Sequence, residues 1–507
     1  MIQMAGMRSS GEGKSYHLGK GRGIRPQVIL FLLAAVIVSA VVRMAAAGEP
    51  SGVQAGTSEE KAAQEQKLEE RLQNQEKRIK DLEKRLQDME SAAMSGVSTP
   101  ATPATHPALE PTRGTGAPEA IHVEVAKDEV RDSHKVLTGA DLIADDFPGS
   151  WPMFGSDYRM KIGGYFKLDV LYDFDGTGDK YQFLISQIPV NTTPAASPGS
   201  YFNMFTRETR FNLDVRKTTP GEPAQQVFIE MDFFGESSSS PHLRHAYLVY
   251  GNLVLGQTWS TIIEARALPY IIDFAYGDAL YGGRTTQIRW QQQAGKHWSW
   301  AVALEMLQEA GIDNPLGQPG VASSLLPVLT GRVTFESGSE LVILGGEVGQ
   351  LRWDGNGSGP DAKAQEWAVV LNGRHYLGDR DYVTLNLSYS DGAAENISAL
   401  SGSNANASLT LDGRLETNKA WNIALGYAHK ITERLTTNLA YAQTELKANY
   451  LRSPDSIKGG SVAHVNFIWA FAKAMSTGIE YMWGERENTD GARGRAARVQ
   501  SMAKYDF

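Results

Sequence analysis

Residues 159–174 read RMKIGGYFKLDVLYDF, and this stretch decides the fold. Apolar side chains such as Phe166 and Leu168 share one face, while Lys167 and Asp169 share the other. A period of two with one apolar face is typical of a β-strand. A closed sheet that is apolar outside and polar inside is one of two structures that can carry a backbone across a bilayer. The stretch predicts a strand of such a barrel or of a soluble sandwich, and the rest of the chain decides between them.

The same two-sided pattern recurs from Arg159 to Phe507. Sixteen candidate strands begin near residues 159, 203, 225, 242, 253, 284, 297, 329, 340, 365, 381, 419, 434, 460, 474 and 496. Short connectors alternate with long ones, which are expected at 175–202, 260–283, 307–328, 391–417 and 486–495. Bacterial transmembrane barrels have an even strand number, tight turns on the periplasmic rim and long loops outside. The pattern therefore predicts an all-β transmembrane barrel of about 16 antiparallel strands over residues 151–507. A soluble all-β fold is the alternative, and it gives no reason for such sorted loops.

The predicted outer face carries aromatic side chains near strand ends, as at Trp298, Trp300 and Trp483. Rings at these places are typical of the membrane–water interface, although they also fill the core of an ordinary sandwich. The chain ends with Tyr505 and Phe507 on one face, which resembles the assembly signal of outer-membrane barrels. These features favour a place in the bacterial outer membrane.

Composition excludes several classes of function. The net charge of -9, without a Lys/Arg cluster to override it, argues against a nucleic-acid partner. The absence of cysteine removes disulfides, thiol catalysis and thiolate metal sites. The motif DFDGTGD at 173–179 lacks the trailing Glu of a calcium loop, so we interpret it as a turn. No Ser/His/acid set indicates a hydrolase. We therefore predict no catalytic residue, no metal site and no cofactor.

The N-terminus has the pattern of an export signal. Basic residues precede an apolar run at 28–42, and small residues at 45–48 offer a cleavage site. The run is shorter than the roughly 20 residues of a transmembrane helix, which makes an uncleaved anchor the less favoured alternative. We predict a signal peptide over 1–47 and a disordered stretch over 48–64.

Residues 65–93 contain heptad repeats. Leu72, Ile79 and Leu86 take position a, and each g-position Arg meets an e-position Glu of a parallel neighbour, as in Arg71–Glu76. A single solvated helix is the alternative, but isolated helices of this length are marginal in water. We predict a parallel coiled coil in the periplasm, and its core residues do not decide between dimer and trimer.

Residues 94–150 are rich in Pro, Ala and Thr and cannot build a core. We interpret them as a flexible linker to the barrel. The apolar pairs Val136-Leu137 and Leu142-Ile143 are expected to dock at its near end.

The predicted inner face is strongly charged. Charges in a packed interior each cost several kcal/mol unless they are paired, and a lumen that holds water removes this penalty. Barrels of about sixteen strands are wide enough for an aqueous channel. Opposed Arg and carboxylate rows would give a transverse field that selects solutes by charge. The candidate pore-lining acids are Glu208 and Asp214, and the bases are Arg210, Arg216, Arg244 and Arg289.

The connector at 260–283 is too apolar for a free surface loop. We expect it to fold into the barrel as a constriction loop and to present Glu264, Asp273 or Asp278 to wall arginines. The alternative is that it caps the rim or packs on a neighbouring subunit.

Several strings resemble the DcaP-like porin family: FPGSWPMFGSDYRMKIGGYFKLDVLYDF at 147–174, TRETRFNLDVR at 206–216, FIEMDFFG at 228–235, LRHAYL at 243–248, GQTWST at 256–261 and ALPYIIDF at 267–274. The resemblance is dense over roughly 147–290 and thinner toward the C-terminus. It implies a homotrimeric outer-membrane channel with a periplasmic coiled coil that passes small anionic solutes such as dicarboxylic acids. It also implies a pore-lining role for Arg210, Arg216, Arg244 and Arg289.

Two hypotheses of function remain. The leading one is a porin, not an enzyme, for passive diffusion of small hydrophilic solutes. The rival is a structural or adhesive protein whose barrel is mainly an anchor. A filled lumen would favour the rival, and an open lumen the channel. The predicted partners are further copies of the chain, outer-membrane lipids, small anionic solutes and, through the coiled coil, the cell wall.

Overall fold

The structure, a computed structural model, describes residues 135–144, 147–153, 157–190, 199–235, 240–278, 280–306 and 310–507. The predicted signal peptide, disordered stretch and coiled coil lie outside these residues. None of the helices in the described ranges has both the length and the apolar character needed to cross a membrane.

The described residues form one α-helix and 22 strands. The helix is α1, Gly139–Ala144, and 3-10 turns cover Ile185–Gln187, Ala265–Ala267, Tyr276–Asp278, Ala394–Asn396 and Ser398–Leu400. The strands are β1 Trp151–Pro152, β2 Arg159–Asp173, β3 Tyr201–Phe205, β4 Arg210–Lys217, β5 Gln225–Asp232, β6 His242–Tyr250, β7 Leu253–Trp259, β8 Arg284–Gln293, β9 Trp298–Glu305, β10 Ile312–Asp313, β11 Val321–Ser323, β12 Val328–Ser337, β13 Glu340–Asp354, β14 Ala362–Tyr376, β15 Asp381–Asp391, β16 Ala407–Leu409, β17 Leu415–Thr417, β18 Lys419–Thr432, β19 Leu435–Lys447, β20 Ile457–Ala472, β21 Met475–Asn488 and β22 Arg493–Asp506.

The strands form a closed antiparallel barrel with sixteen wall positions. β3 and β4 are two halves of one wall strand, because both pair with β2. The barrel closes where β2 pairs with β22, with Asp173 opposite Arg498. β1 and β11 add short pairings at the rims, and β10, β16 and β17 make a separate small sheet. The predicted sixteen-stranded barrel is confirmed, and every wall strand begins within about three residues of its predicted start.

Side chains alternate between the two faces of the wall. On β9, Trp300 and Val302 are exposed on the outside, whereas Ala301 and Ala303 are buried on the inside. The exposed positions around the barrel are mainly apolar and aromatic, as a lipid-facing surface requires.

The connectors sort by length as predicted, with one exception. Long loops join β2 to β3, β7 to β8, β9 to β12 and β15 to β18, while residues 251–252 make a tight turn at the other end. The long loop predicted at 486–495 is wrong, because β21 and β22 continue to a turn of residues 489–492. Cross-strand contacts such as Arg495 Nε to Glu485 Oε2, 2.7 Å, join the two strands near this turn. β2 starts and β22 ends at the tight-turn rim, which we call the periplasmic rim.

The end of the predicted linker lies inside this rim. Residues 135–144, including α1, enter the mouth of the barrel beside β5, β6 and β7. Val136 and Leu142 are buried there, whereas Ile143 is exposed.

The barrel interior as the candidate functional site

The inner wall of β2 to β8 is built from paired charges. Arg244 is fully buried, and its guanidinium donates from Nε to Glu230 Oε1 at 2.9 Å and from Nη1 to Asp232 Oδ2 at 2.7 Å. Arg216 Nη2 donates to Asp214 Oδ2 at 2.7 Å, and both residues lie on β4, the strand next to β5. Because β4, β5 and β6 are adjacent in the sheet, these pairs lie side by side on the inner wall, and each buried charge has a partner of opposite sign.

Lys167 on β2 is a second centre of this network. Its ammonium lies 2.9 Å from Asp169 Oδ1 and 2.6 Å from Glu208 Oε2. It also donates to the carbonyl oxygen of Ile272 at 2.9 Å, which belongs to the loop at 260–283. Sequence reasoning placed Lys167 on the inner face but missed this contact, because nothing local indicates which loop crosses above it.

All six predicted pore-lining residues lie on the inner side, and each is at most 8% exposed. They are Glu208, Arg210, Asp214, Arg216, Arg244 and Arg289. Glu208 lies in the break between β3 and β4. Aromatic rings cover two of the bases, because Phe274 lies 5.5 Å from the Arg244 guanidinium and Phe147 lies 4.1 Å from that of Arg216. Arg289 donates to Gln287 and to the carbonyl oxygen of Trp259. Their role in lining a pore stays a prediction.

The loop at 260–283 lies inside the barrel, against the wall from β12 to β21. It approaches this wall where side chains are small. A Cβ on Gly426 would lie 2.9 Å from Cβ of Pro269, and one on Gly478 would lie 2.8 Å from Cδ1 of Ile272. Such distances leave no room for a larger residue, so the wall is shaped to receive the loop.

Inward asparagines hold the backbone of this loop. Asn372, Asn386 and Asn466 donate from Nδ2 to the carbonyl oxygens of Ile262, Ala267 and Tyr270, at 3.1, 2.8 and 3.0 Å respectively. Glu480 on β21 accepts from the backbone N–H groups of residues 272 and 273, at 2.8 and 3.1 Å. Buried backbone groups need such partners. The period of two identifies these side chains as inward, but it does not identify their partners.

Glu264 faces both an arginine of its own loop and one of the wall. Arg266 donates from Nε and Nη2 to its two oxygens at 2.8 and 3.0 Å, and Arg332 Nη1 lies 3.9 Å away. Burial opposes the charge of Glu264, but the charge and hydrogen bonds of Arg266 overcome it and lower its pKa to about 2. Glu264 is therefore a fixed negative charge in the interior.

Asp273 and Asp278 hold a second loop segment, residues 174–190. Asp273 Oδ1 accepts from the N–H of Phe183 at 3.1 Å, and Asp278 Oδ2 accepts from that of Ile185 at 2.9 Å. We expected these acids to face wall arginines. Asp273 interacts electrostatically with Arg498 of β22, and the hydrogen bonds described here go to backbone N–H groups that would otherwise be buried without acceptors. Burial, with some effect of Asp273, raises the pKa of Asp278 to about 7.

A model of the DcaP outer membrane protein family matches residues 148–507. The fold is similar to the crystal structure of the outer membrane channel DcaP of Acinetobacter baumannii, with 24% identity and a TM-score of 0.60 over 69% of this chain and 97% of that one. It is also similar to an anion-selective porin from Comamonas acidovorans, with 13% identity and a TM-score of 0.47 over 69% of this chain and 100% of that one. No curated protein sequence matches the chain.

Proposed function

Because the chain belongs to the DcaP outer membrane protein family, we propose that it is a porin for passive diffusion of small hydrophilic anions such as dicarboxylates. The barrel places it in the outer membrane, and its sixteen wall strands enclose enough width for an aqueous path. The observation that carries the anionic preference is the group of inward arginines Arg210, Arg216, Arg244 and Arg289.

These arginines favour anions through the field they create with their surroundings. Their partner acids stand on the same wall, while Glu264 and its neighbours lie on the loop inside the barrel. A solute between wall and loop meets charges of both signs on fixed positions, which orients a dipolar or dicarboxylate solute. Glu208 and Asp214 set the local balance of charge next to Arg210 and Arg216.

Assembly belongs to the same proposal. We expect three copies to associate through their barrels, with a periplasmic coiled coil over 65–93 that strengthens the trimer and contacts the cell wall. Removal of 65–93 should weaken the association between subunits while current through each barrel survives.

The second candidate is an outer-membrane protein with a structural or adhesive role, for which the barrel is mainly an anchor. One observation favours it: loop residues within 174–190 and 260–278 and the segment 135–144 all contribute buried residues inside the barrel. A lumen that stays closed under all conditions would support this role.

Single-channel recording in a planar bilayer separates the candidates. Purified protein should give stepwise currents with three substates and a reversal potential biased toward anions. The double substitution Arg210→Ala with Arg244→Ala should shift the reversal potential toward cations. The control is Arg493→Ala with Arg495→Ala, which removes the same charge from exposed outward positions. Equal reversal potentials in both double variants would contradict the role of the inward arginines in anion selectivity. The absence of current in every variant would favour the structural or adhesive role.

A further inference from the structure

Residues 135–144 occupy the periplasmic mouth of the barrel. Leu142 is fully buried and Val136 is 6% exposed, in one cluster with Phe228, Tyr247 and Val249 of β5 and β6. Ile143, the next residue of α1, is 48% exposed. The segment therefore has one face that packs on the inner wall and one that does not.

The wall beneath the segment is apolar, unlike the charged wall above it. Ala224, Phe228, Tyr247, Val249 and Val254 are all inward and buried. Without a cover these side chains would expose apolar surface to the aqueous end of the lumen, which is unfavourable. The periplasmic mouth thus has an apolar inner surface, and residues 135–144 cover it.

Polar contacts fix the position of the segment. The N–H of Gly139 donates to the carbonyl oxygen of Gly251 at 2.7 Å, and Gln291 Nε2 donates to that of Val136 at 3.0 Å. Gly139 has a φ of 51°, and a Cβ there would collide with Asn252 Oδ1. The left-handed backbone at this position favours glycine, and a Cβ there would also force the Asn252 side chain to move.

The segment is also connected to the constriction loop through one carboxylate. Lys135 Nζ lies 3.6 Å from Glu336 Oε2 on β12. Arg266 of the loop donates from Nη1 to Glu336 Oε1 at 2.8 Å. A change in the position of the segment therefore alters the charge that Arg266 faces.

We propose that residues 135–144 are a plug that closes the periplasmic mouth and opens by leaving it, so that permeation is gated from the periplasmic side. The plug is a short helix held by two buried apolar side chains and a few hydrogen bonds. Such a unit opens locally at much lower free energy than the barrel unfolds. Because the chain before it contains the linker and the predicted coiled coil, displacement of that chain would pull on the plug directly. The gating role rests on the proposed porin function.

A thiol placed under the plug tests its position without any measurement of transport. The chain has no cysteine, so Val249→Cys gives the full-length protein a single thiol. Its reaction with a charged maleimide should be slow, because Val249 is fully buried. Leu142→Asp in this background should raise the rate at least about tenfold, since a buried Leu contact is lost and a charge is repelled from apolar walls. The matched control, Ile143→Asp, should leave the rate within about twofold, because an exposed position loses no buried contact.

Gly139→Val is a second variant that adds no charge. It should raise the rate as well, because its Cβ displaces the segment from the turn at 251–252. Heat-modifiable migration on gels confirms that each barrel is folded. Equal labelling rates in the Leu142 and Ile143 variants would overturn the plug.

Conductance of the same proteins separates the plug from the porin function. Leu142→Asp should increase the open probability over the parent protein, while Ile143→Asp should not. Faster labelling together with current that is present and unchanged would overturn gating. If Leu142→Asp speeds labelling but no variant conducts current, the docking of residues 135–144 stands. The porin function is then contradicted, and the gating role that rests on it is contradicted as well.

Discussion

The two sides of the inner wall are built on different principles. From β2 to β8, many of the inward side chains beyond the apolar periplasmic mouth are charged, as with Lys167, Arg244 and Asp232. From β18 to β21 most are small, and the buried ones include Ala420, Ala424, Ala428, Ala440 and Ala442. The first side satisfies its charges across neighbouring strands, whereas the second leaves room for two loops.

The difference shows how one barrel can hold both charge and a folded interior. Long charged side chains fill space and need partners of opposite charge within reach. They therefore suit a wall whose own residues supply those partners. Small side chains let a loop backbone come close, and a few amides and carboxylates, such as Asn386 and Glu480, then satisfy its polar groups. The interior is therefore asymmetric, with charge on one side and loop packing on the other.

The largest effect on stability is expected when the charged side of the wall loses the buried ammonium group of Lys167. Lys167→Met should destabilise the barrel by about 3–5 kcal/mol, because Asp169 and Glu208 stay buried without the ammonium between them. Unfolding in guanidinium, followed by loss of heat-modifiable migration, measures this. Lys217→Met is the control, since its partner Glu222 is exposed and ion pairs at the surface contribute little to stability. A cost equal to the control would show that the charged side does not depend on its pairs.

The loop-packing side is tested by filling the space it leaves. Gly426→Leu should cost about 1–3 kcal/mol, because its side chain overlaps the rigid ring of Pro269. It should also move the constriction loop away from the wall and change the conductance. Gly331→Leu serves as the control, since a Cβ there meets only Ala301 O at 3.7 Å. Unchanged stability and conductance in Gly426→Leu would mean that the loop is not held against this wall.

The strands of the wall could be predicted from the sequence because the residues of its outer face have one simple requirement. An outward position needs only to be apolar, so a period of two was enough to find all sixteen wall strands. The apolar content of 260–283 also predicted its inward path, since Ile262, Leu268 and Ile272 have no place on a free surface. The false long loop at 486–495 arose because polar, Gly-rich sequence also extends strands above the membrane, where Arg495 and Glu485 pair.

The partners inside the barrel could not be predicted in the same way. Asn372 and the carbonyl of Ile262 are 110 residues apart in sequence, and only the closed barrel brings them together. The hydrogen bond of Asp278 depends on where the loop segment 174–190 lies, which no local sequence pattern predicts. The sequence marks such residues as inward and polar, but the identity of each partner is a property of the whole fold.

A smaller effect is expected from pH, through the buried Asp278 of the loop at 260–283. The pKa of Asp278 is raised to about 7, first by burial and then by Asp273, while the N–H of Ile185 and His464 oppose the rise. The folded state therefore keeps this proton to higher pH than the unfolded chain. The stabilisation of the folded state by this proton is fully present below pH 3.8, the pKa of the group in the unfolded chain. It is lost as the pH rises through about 7, the pKa in the folded state.

Between pH 5 and 7, stability should fall by at most about 1.4 kcal/mol per pH unit through this group. Asp278→Asn should remove that slope, and Asn suits the left-handed φ of 53° at this position. Guanidinium midpoints at pH 5, 6 and 7 provide the measurement, with the exposed Asp412→Asn as control. Parallel profiles for the parent and Asp278→Asn would contradict the assignment.

The smallest effect separates the two faces of one strand. Ile343 is fully buried against the interior, whereas Leu344 is 54% exposed on the outer face. Ile343→Met should cost up to about 1.5 kcal/mol, because a packed interior position resists a change of shape. Leu344→Met should stay within about 0.5 kcal/mol, since fluid lipid accommodates either side chain. Equal costs in guanidinium unfolding would place a packed protein layer on the outer face, and the barrel could then no longer be a membrane-facing wall.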